Sequence, residues 1–98
     1  MKDNLKDIGV FGRMHYDYLR KNKPTVINVM RMNGTLNDYL KSVNEQAEEM
    51  LFQLVKQMAK AEGVTEKLKS ADQMKWVGMM NNIRDRANEI VLNEVIFI

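Results

Sequence analysis

Five cations in the first third of the chain, Arg13, Arg20, Lys21, Lys23 and Arg31, are the residues whose type and spacing best suit binding. Arg13 and Arg20 stand seven positions apart and so share a helix face, with Tyr16 and Tyr18 between them. Basic side chains interleaved with aromatic ones can neutralise phosphates and stack on bases, which makes nucleic acid one candidate partner. An acidic protein surface is the other. Residues 1–34 carry seven Lys/Arg against three Asp, residues 35–64 three against five Asp/Glu, and residues 65–98 five against five. The net charge of +2 therefore conceals a basic N-terminal end, weaker than a dedicated basic arm.

No other grouping promises chemistry. The chain has no cysteine, which excludes disulfides, thiolate catalysis and cysteine-bearing zinc patterns, and a single histidine cannot build a histidine metal cluster. His15 has no Ser or Cys nucleophile near it in sequence and reads as an exposed or half-buried helix residue. Glu45 and Glu49 point outward together on a helix, and Glu48 has a proposed arginine partner. Neither a glycine-rich phosphate loop nor a nucleophile motif is present. Catalytic residues, a metal and a cofactor are not expected, and neither is an enzyme.

The elements that must position these residues are helical. Phe11, Met14, Tyr18 and Leu19 lie close to one face of a first short helix, Val10 to Asn22, which Pro24 breaks. Proline is tolerated in a first turn, so Pro24 opens a second short helix that Gly34 ends in the left-handed conformation. Thr35 is the N-cap candidate of a third, long helix, with Leu36, Leu40, Val43, Ala47, Met50, Leu54, Met58 and Ala61 recurring every three or four residues up to Gly63. Thr65 caps a brief turn around Leu68. Ser70-Ala71-Asp72-Gln73 then matches a capping box for a fourth helix, whose buried arc is Trp76, Val77, Met80, Ile83, Ala87, Ile90 and Val91.

The short connection between the two long helices makes them antiparallel. The fold class expected is therefore all-α: a hairpin of two long helices packed with a short N-terminal helical hairpin. It forms one domain over residues 1–98, divided into a basic hairpin over 1–34 and the long hairpin over 35–98. The N-terminal hairpin covers the open side of the long pair, or a second copy does so in a homodimer. The apolar end, Val95-Ile96-Phe97-Ile98, should dock near Ile8 and Phe11 or enter another subunit.

Asn81, Arg84 and Asn88 form a polar row along the margin of the fourth helix. A symmetric connection pairs positions whose numbers sum to about 133, which sets Glu48 near Arg84 as an interhelical ion pair fixing the register. Met50, Met58 and Met80, three of nine methionines, fall on the buried stripes. Met79 and Met32 do not, and are candidates for a partner-facing patch. No apolar run is long enough for a signal peptide or a membrane span, so no membrane association is expected and the cytoplasm is the expected compartment.

LNDYL, QAEEM, LVKQMAKAEGVTEKLK, DQMKWV and MNNIRDRANEIV, in this order and with IGVFGRMHYDYL before them and NEVI after, resemble the TnpV family of small proteins encoded on bacterial transposons. The resemblance covers nearly the whole chain and supplies a setting, with no catalytic residues to carry over. It implies a non-catalytic helical interaction protein of a mobile element that binds a protein or nucleoprotein partner. An anti-CRISPR-type inhibitor of host defence is the sharpest form of that reading. The alternative is a DNA-binding accessory factor for transposon excision or transcription, using the basic N-terminal helices.

Overall fold

The computed structural model describes residues 5–98. Its elements are α1 (Gly9–Asn22), α2 (Pro24–Asn33), α3 (Leu36–Ala61), α4 (Glu66–Ala71), α5 (Gln73–Val91) and a closing π-helical turn, Leu92–Ile96. No strand occurs among the described residues, and the chain is a small all-α bundle.

Local chemistry sets most of the boundaries. Lys23 leaves the helical region and returns its N–H to the Leu19 carbonyl at 2.7 Å, closing α1 where Pro24 forbids continuation. Gly34 and Gly63 both adopt a left-handed φ of +71°, just past the ends of α2 and α3. Thr35 stands at the N-cap of α3, but its side chain makes no capping hydrogen bond, and Asp38 in the first turn supplies the negative charge that the helix start favours.

The start of the last long helix differs from the capping box expected at Ser70. The turn around Leu68 is a six-residue helix, α4, that absorbs Ser70, and Asp72 caps α5 by accepting the Lys75 N–H at 3.1 Å. A carboxylate at an N-cap both fills the orphan donor and faces the positive helix end, so it prevails over the serine two residues earlier.

Three apolar clusters hold the helices together. Ile8, Tyr16, Leu19, Ile27, Leu36 and Leu40 join α1, α2 and the start of α3. Phe11, Val43, Ala47, Val91, Val95 and Ile96 join α1, the middle of α3 and the chain end. The third cluster has only Val64, Met80 and Ile83 as fully buried members. The reason is coverage: the N-terminal hairpin packs on the half of the rod where α3 begins and α5 ends, and the other half is a two-helix arm covered only by the short α4. The molecule measures 55 × 22 × 18 Å.

That arm explains why the expected buried arc is too wide. Ala61 and Val77 are exposed there and Met58 is half-buried, since two long helices covered only by the short α4 bury a narrow seam; at the other end Ile90 is exposed, and Met50 and Leu54 are half-buried at the edge of the second cluster. Leu54→Ala should accordingly cost about 1–2 kcal/mol, below the range for a fully buried leucine, and Glu49→Ala less than about 0.5 kcal/mol. Urea denaturation reads both, and equal values would mean that α3 presents a different face to α5.

Two asparagines on α3, seven positions apart, fasten the N-terminal segment. Asn37 accepts the Lys6 N–H at 2.8 Å and donates to the Lys6 carbonyl at 3.2 Å. Asn44, buried, accepts the N–H groups of Phe11 at 3.0 Å and Gly12 at 3.3 Å, capping α1 from a different helix, since no side chain of α1's own N-terminus does so. The approach is close enough to need glycine: a Cβ on Gly12 would stand 2.8 Å from the Leu40 carbonyl oxygen, and one on Gly9 would overlap the Asn44 amide.

Candidate functional site

The five cations of the N-terminal hairpin do not form one patch. Arg13 and Arg20 flank Tyr16, their guanidinium carbons 5.9 and 5.5 Å from its ring centroid. Tyr16 is 7% exposed and belongs to the core, so it anchors the two arginines and offers no face for a base to stack on. The turn at Pro24 folds α2 back so that Arg20 and Arg31 line a hollow of about 170 Å³ with Pro24, Ile27 and Asn28. Arg31 Nη1 donates to Asn28 Oδ1 at 3.0 Å, which orients the guanidinium along α2. The hollow has room for a carboxylate or phosphate and a few waters, each water taking about 30 Å³.

Lys21 is exposed on α1, and Lys23 turns to the chain end, where Nζ donates to the Ile98 main-chain oxygen at 2.9 Å. The structure thus brings Arg20 and Arg31 together, sets Arg13 beside Arg20, and separates Lys23 from them.

His15 departs from its expected place. It is 1% exposed, with Nδ1 at 2.7 Å from the Ile96 carbonyl and Nε2 at 2.8 Å from the Tyr39 hydroxyl. A carbonyl can only accept, so Nδ1 carries a proton; in the neutral ring Nε2 then accepts from Tyr39. Burial raises the Tyr39 phenol above its ordinary range. The imidazole is a three-way tie between α1, α3 and the chain end, and periodicity missed it because a polar side chain on the margin of an apolar stripe is read as solvated. The tail docks as expected for Val95 and Ile96, which join Phe11. Phe97 instead leans on Tyr18 with ring centroids 5.6 Å apart, and it and Ile98 stay exposed.

The polar row on α5 is also redistributed. Among the described residues no ion pair joins Glu48 to Arg84; Glu48 Oε1 accepts from Asn44 Nδ2 at 3.1 Å. Asn81 is exposed and Asn88 half-buried. Ala47 clusters with Val91, and Val55 and Met58 with Ile83 and Met80, so facing positions sum to more than the symmetric connection would give. With α4 packed at the connection through Val64 and Leu68, the first turn of α5 overshoots the end of α3. Arg84 therefore lies beyond Glu48 toward the end of α3, out of ion-pair reach.

The ion pair that ties α5 to the end of α3 is Arg86 with Glu62, the residue just past Ala61, at 2.7 Å. Its hydrogen bond and charge hold the Glu62 carboxyl below the usual range. The pair therefore contributes above the ordinary carboxylate range, and its contribution is lost as pH falls through that lowered value.

Among the described residues no group of three or more His, Cys, Asp or Glu could hold a metal ion, and no helix is long and apolar enough to cross a membrane. No curated protein and no solved structure matches the chain. The model of one family, the transposon-encoded protein TnpV, matches residues 1–96. With all but its last two residues inside that match, the chain belongs to the TnpV family of transposon-encoded proteins.

Proposed function

We propose that this chain is a non-catalytic helical interaction protein of a mobile element, binding a protein or nucleoprotein partner through the outer face of α2. The observation that carries this reading is Met32, 87% exposed, with Val29 and Val26 also exposed on a helix whose buried residue is Ile27. A helix that reads a DNA groove presents donors and acceptors to base edges. This face presents methyl and thioether groups, which suit the apolar centre of a protein interface, with Arg20 and Arg31 at its margin. A partner with an acidic rim complements it. An inhibitor of a host defence nuclease, of the anti-CRISPR type, is the most specific form of the proposal, and the transposon-encoded family is what supports that setting.

The five cations favour the second reading, a DNA-binding accessory factor for excision or transcription. Titrating labelled duplex DNA at two salt concentrations against the wild type and an Arg20→Ala, Lys21→Ala double variant separates the two. The expected result is weak, sequence-independent DNA binding, together with partner capture from a host carrying a recombinase and a CRISPR system that Val29→Glu, Met32→Glu abolishes. Tight, sequence-selective DNA binding that the arginine–lysine variant removes, with the logarithmic salt slope reduced by about one for each cation replaced, would overturn the proposal.

A further inference from the structure

α1 begins against Asn44 and Ala47 of α3, and from Glu48 onward α3 borders an opening. The opening is an apolar groove of about 490 Å³, lined by Glu48, Leu51, Phe52, Val55 and Lys56 on α3 and by Arg84 across it on α5. Phe52, 60% exposed, is one of these lining residues, with the Lys56 ammonium 5.7 Å from the ring centroid. Charge is divided about this phenylalanine: Glu45, Glu48 and Glu49 precede it on α3, and Lys56 and Lys60 follow it.

We propose that the groove is filled by a second copy of the chain, laid antiparallel with Phe52 against Phe52 at a two-fold axis. This surface is separate from the outer face of α2, and the proposal does not depend on the function assigned to that face. A two-fold interface must be complementary to itself, and the charge division meets that condition in one direction only. An antiparallel mate carries positions 48 and 49 to the level of positions 56 and 55, about 6 Å from the axis. Glu45 and Glu49 of each copy then meet Lys56 and Lys60 of the other. Glu48 comes near the neighbouring copy's Arg84, the charge that the register denies it within its own chain. A parallel mate would set glutamate against glutamate.

The geometry also suits the size of such an interface. Half of the 55 Å rod, 22 Å wide, has a projected footprint on the order of 600 Å², comparable in scale to the ~800 Å² of accessible surface per partner in a standard interface. Pairing would turn the two-helix arm, whose cluster has three fully buried members, into a four-helix arrangement.

Sedimentation of the full chain over a range of micromolar concentrations tests this, with far-ultraviolet circular dichroism to verify helicity. The wild type should dimerise, and Phe52→Glu should weaken association at least about ten-fold. Glu45→Lys, Glu49→Lys in one protein and Lys56→Glu, Lys60→Glu in another alter only exposed positions; each should be monomeric alone, and their equimolar mixture should recover the dimer. A wild type that stays monomeric, a Phe52→Glu dimer as tight as the wild type, or a mixture that does not associate would each overturn the proposal.

Discussion

His15→Ala should destabilise the protein by about 3–5 kcal/mol, one of the two largest losses expected from a single substitution here. The change empties the space of a buried ring, which carries a transfer and cavity cost, and leaves the Ile96 carbonyl without its donor, adding about 1–3 kcal/mol. The Tyr39 hydroxyl, at the partly exposed edge of the tie, can turn to water and adds little. The damage should be local first: amide exchange over residues 92–98 should accelerate before the α3–α5 seam opens, because the lost bond spans 81 positions and is a main tether of the chain end. His15→Asn keeps an N–H near the Nδ1 position and should recover part of the loss. Urea denaturation of the three proteins measures this, and a His15→Ala protein within about 1 kcal/mol of the wild type would show that the imidazole is not a tie.

Asn44→Ala should cost about 2–4 kcal/mol. Its carbonyl oxygen serves two buried N–H groups in the first turn of α1, and alanine leaves both without a partner in a crevice closed by Gly9, Gly12 and the Leu40 carbonyl. Asn44→Asp tests the mechanism. A carboxylate still accepts both bonds and favours the positive end of α1, but it loses the amide donor to Glu48 and gains that residue's repulsion, so the loss should be intermediate. Unfolding midpoints that place the aspartate variant below the alanine variant would contradict the capping role. Neither substitution touches the α2 surface, so both variants also serve as controls for partner-capture experiments.

The sequence by itself determined the helices, since the signals that make and end them act within a few residues. Pro24 cannot continue α1, Gly34 and Gly63 take up the left-handed turns beyond α2 and α3, and the three-four spacing of Leu36, Leu40, Val43 and Ala47 selects a buried face wherever a partner lies. That Arg20 and Arg31 line one hollow, by contrast, appeared only once α2 was seen folded back on α1. Tertiary structure alone decided the rest. Whether His15, Tyr16 and Asn44 face solvent depends on groups 24 to 81 positions away for the histidine and 32 or 33 for the asparagine, which no local pattern encodes. The register of α5 on α3 was likewise set by the packing of α4 at the connection. The expected Glu48–Arg84 pair did not form, and both residues lie on the rim of an open groove, because an ion pair reaches only a few ångströms while each residue advances a helix by about 1.5 Å.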